Sequence, residues 1–268
     1  MSSPNALLTR AQVACVRNLL RDKRVRQTEG AFVVEGAKAV RDLLLIHPTQ
    51  VRMLVITPGY EQRESEQDRL VRESVDAHSY RCPDRTFATL SELDAPQGIL
   101  AVVQQPRWDE AELYGRTTIF GLYGEQVQDP ANVGAIIRTA AALNVDALWL
   151  TPESADVYNS KVVRATSGAL LSLPVFIARD AAEFTRHHCA ILAAEAGGTD
   201  TVEMETIRTL PRRAILAVGN ESRGLSEQTR KQATCRFTIP LSRQVESLNV
   251  AATAAIATYY FGRLPRKS

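Results

Sequence analysis

Residues 118–122 read Thr118-Ile119-Phe120-Gly121-Leu122. After a short loop come Asp129-Pro130-Ala131-Asn132-Val133-Gly134-Ala135-Ile136-Ile137-Arg138-Thr139-Ala140. A short apolar run bounded by turn residues predicts a buried strand. The second stretch predicts a helix over Val133–Leu143 with Asn132 as its N-cap. Arg138 follows Asn132 by nearly two helical turns, and Gly134 with the small residues 139–142 allows another backbone to approach closely. Taken alone, this is a capped helix carrying a surface arginine.

The same alternation continues to the C-terminus. Strands are predicted over Ala147–Leu150, Ala190–Ala194, Ala214–Val218 and Arg236–Ile239. Helices are predicted over Ser160–Ala165, Ala181–His187, Ser226–Gln232 and Leu248–Phe261. Strands alternating with helices imply an α/β fold, a mostly parallel sheet with helices on both faces. Upstream, Thr9–Leu20 has helical periodicity and runs into the basic stretch Arg21–Arg26. A strand at Phe32–Val34, a helix at Ala37–Ile46 ended by His47-Pro48, and a strand at Val51–Ile56 stopped by Pro58-Gly59 follow. A charged helix over Glu61–Val75 and a strand over Ile99–Val103 complete this half. The polar run Gln104–Glu110 is read as a linker, giving a smaller N-terminal α/β domain over 1–106 and a second domain over 107–268.

The composition, 45% hydrophobic and 23% charged, is that of a soluble globular chain with a normal core. Cys15, Cys82, Cys189 and Cys235 form no CxxC pair and read as reduced thiols. Met1–Arg10 lacks an apolar core and no apolar run is long enough to span a membrane, so a cytoplasmic location without membrane contact is expected. The histidines do not pair with acids at metal spacing, and no metal is expected. The chain has no G-x-G-x-x-G, P-loop or G-x-S-x-G motif. The net charge is only +2, yet Met1–Arg41 holds eight Lys/Arg against three acids. Arg21, Lys23, Arg24 and Arg26 are therefore candidates for phosphate contact, with a plain solvated helix face as the alternative.

Two further segments stand at strand ends. Val218-Gly219-Asn220-Glu221-Ser222-Arg223-Gly224-Leu225 leaves a strand, and its glycines free backbone groups to meet a ligand. Ile239-Pro240-Leu241-Ser242-Arg243-Gln244-Val245-Glu246-Ser247-Leu248-Asn249-Val250 runs from a strand through a polar loop into an Ala-rich helix. Ser247 or Glu246 is read as that helix's cap, and Asn249, inside the first turn, as free to bond elsewhere. Together with Asp129–Ala140 and Asn159–Pro174, these segments resemble the SpoU (TrmH) family of RNA ribose 2′-O-methyltransferases, within the SPOUT class. The resemblance covers about residues 115 to 262. Gly30–Gly36 and Pro96–Val103 resemble the RNA-gripping accessory domain of that family, itself similar to a small ribosomal protein.

The resemblance implies a deep trefoil knot and S-adenosylmethionine as cofactor. It places Gly219, Ile239 and Leu248 at the cofactor, with Ala194, Glu195, Asn220 and Leu241 as neighbours. It implies that Arg138 acts at the reacting hydroxyl, oriented by Asn132, Glu221, Ser247 and Asn249, with Arg164 a second phosphate contact. It also implies a homodimer, with Leu248–Phe261 the expected interface helix and a buried intrachain helix the alternative. Methylation of ribosomal RNA is the reading. Transfer RNA, or RNA binding without catalysis, are the alternatives.

Overall fold

The structure is a computed structural model and describes residues 6–75, 78–178, 180–198, 200–242 and 245–267. The chain divides into two compact units. One is Met1–Arg107 with Asp156–Leu171; the other is Trp108–Ala155 with Ser172–Ser268. A single linear boundary gives no hint that the segment Asp156–Leu171 packs with the first unit.

The first unit contains β1 (Ala6–Leu7), α1 (Arg10–Arg21), α2 (Lys23–Glu29), β2 (Ala31–Glu35), α3 (Ala37–Ile46), β3 (Val51–Ile56), α4 (Pro58–Glu61), α5 (Glu66–Glu73), β4 (His78–Arg81), α6 (Asp84–Leu90) and β5 (Ile99–Gln104). Its sheet has the order β1-β4-β3-β5-β2, parallel from β1 to β3 and antiparallel from β3 through β5 to β2. Helix α1 starts at a reciprocal capping box between Thr9 and Gln12. The basic run after it is a second helix, because Asp22 caps it and Gly30, at φ +55°, closes it. The charged stretch 61–75 is not one helix: Thr57 caps the turn α4, and Ser65 caps α5 separately.

The second unit begins with α7 (Glu110–Tyr114), β6 (Ile119–Gly124), α8 (Pro130–Ala142) and β7 (Ala147–Leu150). Helix α9 (Ser160–Thr166) returns to the first unit. The second then resumes with β8 (Val175–Ile177), α10 (Ala182–Arg186), β9 (Ala190–Ala194), β10 (Val202–Glu203), β11 (Arg213–Val218), α11 (Glu227–Gln232), β12 (Cys235–Thr238) and α12 (Val250–Gly262). Its seven strands, ordered β10-β12-β9-β11-β6-β7-β8, pair in parallel throughout. Ile119, Tyr123, Trp149, Ile191 and Ile215 point to one face and pack on Phe184 of α10. On the other face Phe120 meets Gly262 at the end of α12. Both faces are buried, which is why these strands read as continuous apolar runs. Gly121 is required between the layers, since a Cβ there would lie 2.4 Å from the Trp149 ring.

Two caps differ from their expected places. Asp129, not Asn132, caps α8, with Pro130 in the first helical position, where its missing N–H costs nothing. Asn249, not Ser247 or Glu246, caps α12.

Arg26 is also corrected: it is not presented to phosphates. It is 3% exposed, and its guanidinium is bound to Asp156 at 2.6 Å and to the Leu19 and Leu20 carbonyls. Removing one partner of a buried pair leaves the other charge unpaired. Asp156→Ala is therefore expected to cost about 3 kcal/mol or more, read as a lower urea midpoint by circular dichroism. A midpoint equal to wild type would show that the pair holds nothing.

Candidate active site

The carboxyl ends of β9, β11 and β12 open on a cavity of about 380 Å³, within the range of small-molecule sites. Parallel strands deliver their loops to this edge, where ligands bind in open α/β sheets. All seven residues that the sequence assigns to the cofactor line it: Ala194, Glu195, Gly219, Asn220, Ile239, Leu241 and Leu248. Glu221 and Ser247 line it too. Arg243 and Gln244, inside the third segment, lie outside the described residues.

The wall after β11 is a loop folded onto itself. The backbones of Asn220 and Gly224 exchange hydrogen bonds of 3.1 and 2.9 Å. The Asn220 Oδ1 accepts from the Ser222 and Arg223 amides, while its Nδ2 donates to the Gln126 carbonyl at 2.8 Å. Gly219 is needed because the loop comes back over it: a Cβ would lie 2.2 Å from the Gly224 carbonyl carbon and 2.3 Å from the Leu225 nitrogen. The sequence reading gave the glycines the role of freeing backbone groups for a ligand. At Gly219 the side-chain position is taken by the chain's own backbone, so this glycine shapes the wall.

Three distant segments meet at the rim. Asn249 Oδ1 accepts from the Ala251 and Ala252 amides, and its Nδ2 donates to Asn132 Oδ1 at 2.9 Å. Asn132 Nδ2 donates in turn to Glu221 Oε1 at 2.9 Å. Asn132, 8% exposed, thus sits between the α12 cap and the β11 loop. The sequence grouped these three residues but gave no sign of the bonds that join them.

Two acidic residues frame the site, one of them absent from the sequence reading. Glu125, 8% exposed, accepts from the Ser226 amide at 3.0 Å and holds the start of α11. The Glu195 Oε1 is buried and has no hydrogen-bond partner among the described residues. Arg230 and Arg236 lie 3.6 and 3.8 Å away. The two arginines balance its charge at that wall, and the apolar Ile239 and Leu248 suit an adenine ring. Arg230, also unforeseen, lines the cavity. The only hint in the sequence was the place of Arg230 on the helix that follows the glycine loop. Beneath the site, burial pushes the Tyr123 hydroxyl up from its ordinary range.

Arg138 does not line the cavity. It is exposed on α8 and makes no side-chain hydrogen bond or ion pair among the described residues. Arg164 lies elsewhere, in the first unit, where it lines a cavity of about 250 Å³ with Glu35, Lys38 and Gln97. Burial raises the Glu35 carboxyl there, against the lowering effects of the Ser91 hydroxyl and Arg164. Arg21, Lys23 and Arg24 are exposed.

Residues 120–259 match the family model described as the SpoU rRNA Methylase family, and residues 13–101 match an MRM3-like substrate binding domain. The chain is 30% identical to a 23S rRNA (uridine(2479)-2′-O)-methyltransferase of Streptomyces viridochromogenes, over 90% of this chain and 85% of that protein. It is 28% identical to the 23S rRNA (guanosine(2553)-2′-O)-methyltransferase RlmP of Bacillus subtilis, over 90% and 92%. Among solved structures, the SpoU methyltransferase AviRb of S. viridochromogenes, in complex with the cofactor AdoMet, superposes with a TM-score of 0.82 at 26% identity. The match spans 95% of this chain and 98% of that one.

Gly219→Val is expected to push the Gly224–Leu225 backbone out of place and weaken S-adenosylmethionine binding roughly tenfold or more, about 1.4 kcal/mol, by calorimetry. Unchanged affinity would remove Gly219 from the site.

Proposed function

The chain belongs to the SpoU rRNA methylase family, and from that premise we propose that this S-adenosylmethionine-dependent RNA methyltransferase modifies the 2′-hydroxyl of a ribose in ribosomal RNA. The observation that carries the reading is the Asn249–Asn132–Glu221 chain of hydrogen bonds on the rim of the cofactor cavity. It fixes a polar edge beside the place where the methyl donor fits.

When bound, S-adenosylmethionine supplies an electrophilic methyl group on a sulfonium. The protein must then orient a weakly acidic hydroxyl and support the charge that grows on its oxygen. Arg138 is the residue assigned to that charge. A guanidinium is a planar, delocalised cation whose five N–H donors bind anions in preference to acting as a base. Its exposure, and the lack of a partner among the described residues, suit it to contact RNA. Arg138 does not line the cavity of its own chain, and the family resemblance assigns it to the cavity of a second copy. Ile256 and Tyr259, 41% and 55% exposed on α12, support such a pairing, since α12 packs beside α8. Helix α12 thereby has an intrachain face and an outer one.

Both relatives carry names that specify 23S rRNA, which favours ribosomal over transfer RNA. The N-terminal match to a substrate-binding domain, with Arg21, Lys23 and Arg24 exposed, supports a role for that unit in holding the RNA. The four free cysteines fit a cytoplasmic setting.

Arg138→Ala is expected to lower turnover about 10²–10³-fold, as loss of a single charge-stabilising donor does. S-adenosylmethionine affinity should stay near wild type. The readout is mapping of ribose methylations in total RNA from cells with wild-type or variant protein. Near-normal methylation by the variant would overturn the assignment.

A further inference from the structure

The edge of the second unit where β6 and β11 begin carries a cluster of cations that methyl transfer does not use. Arg116 precedes β6; Arg208 and Arg212 precede β11, which opens on Arg213; and Arg266 and Lys267 follow α12. Contacts join Arg116, Arg212, Arg213, Arg266 and Lys267 into one surface, and the exposed Arg208 lies four residues before Arg212 in the chain. Arg213 donates to the carbonyls of Arg116 and His187. Arg212 Nε donates to the Lys267 carbonyl at 3.3 Å, and Arg266 Nη1 to the Pro211 carbonyl at 3.2 Å. The Lys267 amide is bound to the Leu210 carbonyl at 2.8 Å.

The acceptors matter. A neutral carbonyl orients a guanidinium without cancelling its charge. Among the described residues of this cluster, the ion pair is Arg116 with Asp146, at 3.3 Å. Arg212, Arg213 and Arg266 are held in place yet keep their charge, and the guanidiniums of Arg212 and Arg266 retain donors for an incoming anion, whereas Arg213 has its Nε buried. Fixed planar cations of this kind suit phosphate groups. The ordered cluster is also distant from the reaction. β11 runs six residues from Arg213 to Val218, and five steps of ~3.3 Å put it about 17 Å from the cofactor cavity.

We propose that this edge is a second RNA-binding surface, which grips backbone phosphates of the substrate about 17 Å or more from the methylated nucleotide. The proposal rests on the reading that the substrate is ribosomal RNA. It deepens that reading: an RNA that reaches both edges of the sheet is a folded, multi-phosphate element, and these contacts follow its backbone without reading its sequence.

The test uses the full chain and purified total ribosomal RNA, with binding followed across a range of salt. The triple variant Arg208→Gln/Arg212→Gln/Lys267→Gln is expected to reduce the slope of log affinity against log salt by about 2–3, at ~0.7–0.9 per phosphate contact. Its affinity should fall roughly tenfold or more at physiological salt. S-adenosylmethionine affinity and the melting temperature should match wild type. If the triple variant melts early, Lys267→Gln alone, whose backbone bond is untouched, should still lose about 0.7–0.9 of slope. A salt slope and affinity equal to wild type in the folded variant would overturn the proposal. Methyl transfer to the same RNA by wild-type protein is measured alongside. Its absence would refute the ribosomal RNA reading, while the binding slope alone decides on the surface.

Discussion

Asn132 uses both ends of its amide inside the protein. The oxygen takes a hydrogen from Asn249 and the nitrogen gives one to Glu221, both at 2.9 Å. The partners lie 117 and 89 residues away in the chain. A buried amide with both groups satisfied stabilises and orients; with one partner lost, the remaining group stays desolvated and unpaired, at about 1–3 kcal/mol. That constraint sets the register of three segments at once. The loop after β11 and the start of α12 line the cavity, and Asn132 ties both to the first turn of α8. Gly219 acts in the same direction, since the β11 loop can fold onto itself only where residue 219 lacks a side chain.

The arginines divide by what holds them, and the division separates structure from function. Arg26 is buried against a carboxylate, so its charge is spent inside the first unit. Arg230 and Arg236 lie near Glu195 and set the field at one wall of the cavity. Arg212, Arg213 and Arg266 are oriented by carbonyls and keep their charge for a partner. Arg138 is held by nothing among the described residues. For an enzyme whose substrate is a polyanion, the uncancelled cations are those that can bind it.

Much of this was legible in the sequence, for identifiable reasons. Ala37–Ile46, Val51–Ile56, Ala147–Leu150 and Ala190–Ala194 appear in the structure with the bounds read from their pattern, because burial and end signals agree there. The residues assigned to the cofactor line one cavity because strand–loop–helix order in a parallel sheet delivers them to one edge. What stayed hidden was tertiary or a matter of competing caps. Asn132 looked like a cap, but Asp129-Pro130 three residues earlier is the stronger start, and this frees Asn132 to join the other loops. Asn249 proved to be a cap and a bridge together, the oxygen doing one and the nitrogen the other. Short edge strands such as β1 and β10 carry too few residues to show a period. Arg26, in a run of surface cations, is buried by Asp156, 130 residues away, and no local pattern announces that.

The most direct test of the site is a change of the Asn132 amide that keeps its shape. Asn132→Asp retains an acceptor for Asn249 and sets a carboxylate against Glu221. Calorimetric titration of S-adenosylmethionine should show saturable binding to the wild-type chain and binding roughly tenfold weaker or worse in the variant, with the circular dichroism spectrum unchanged. Equal affinity in a folded Asn132→Asp protein would contradict the view that this relay shapes the cofactor site.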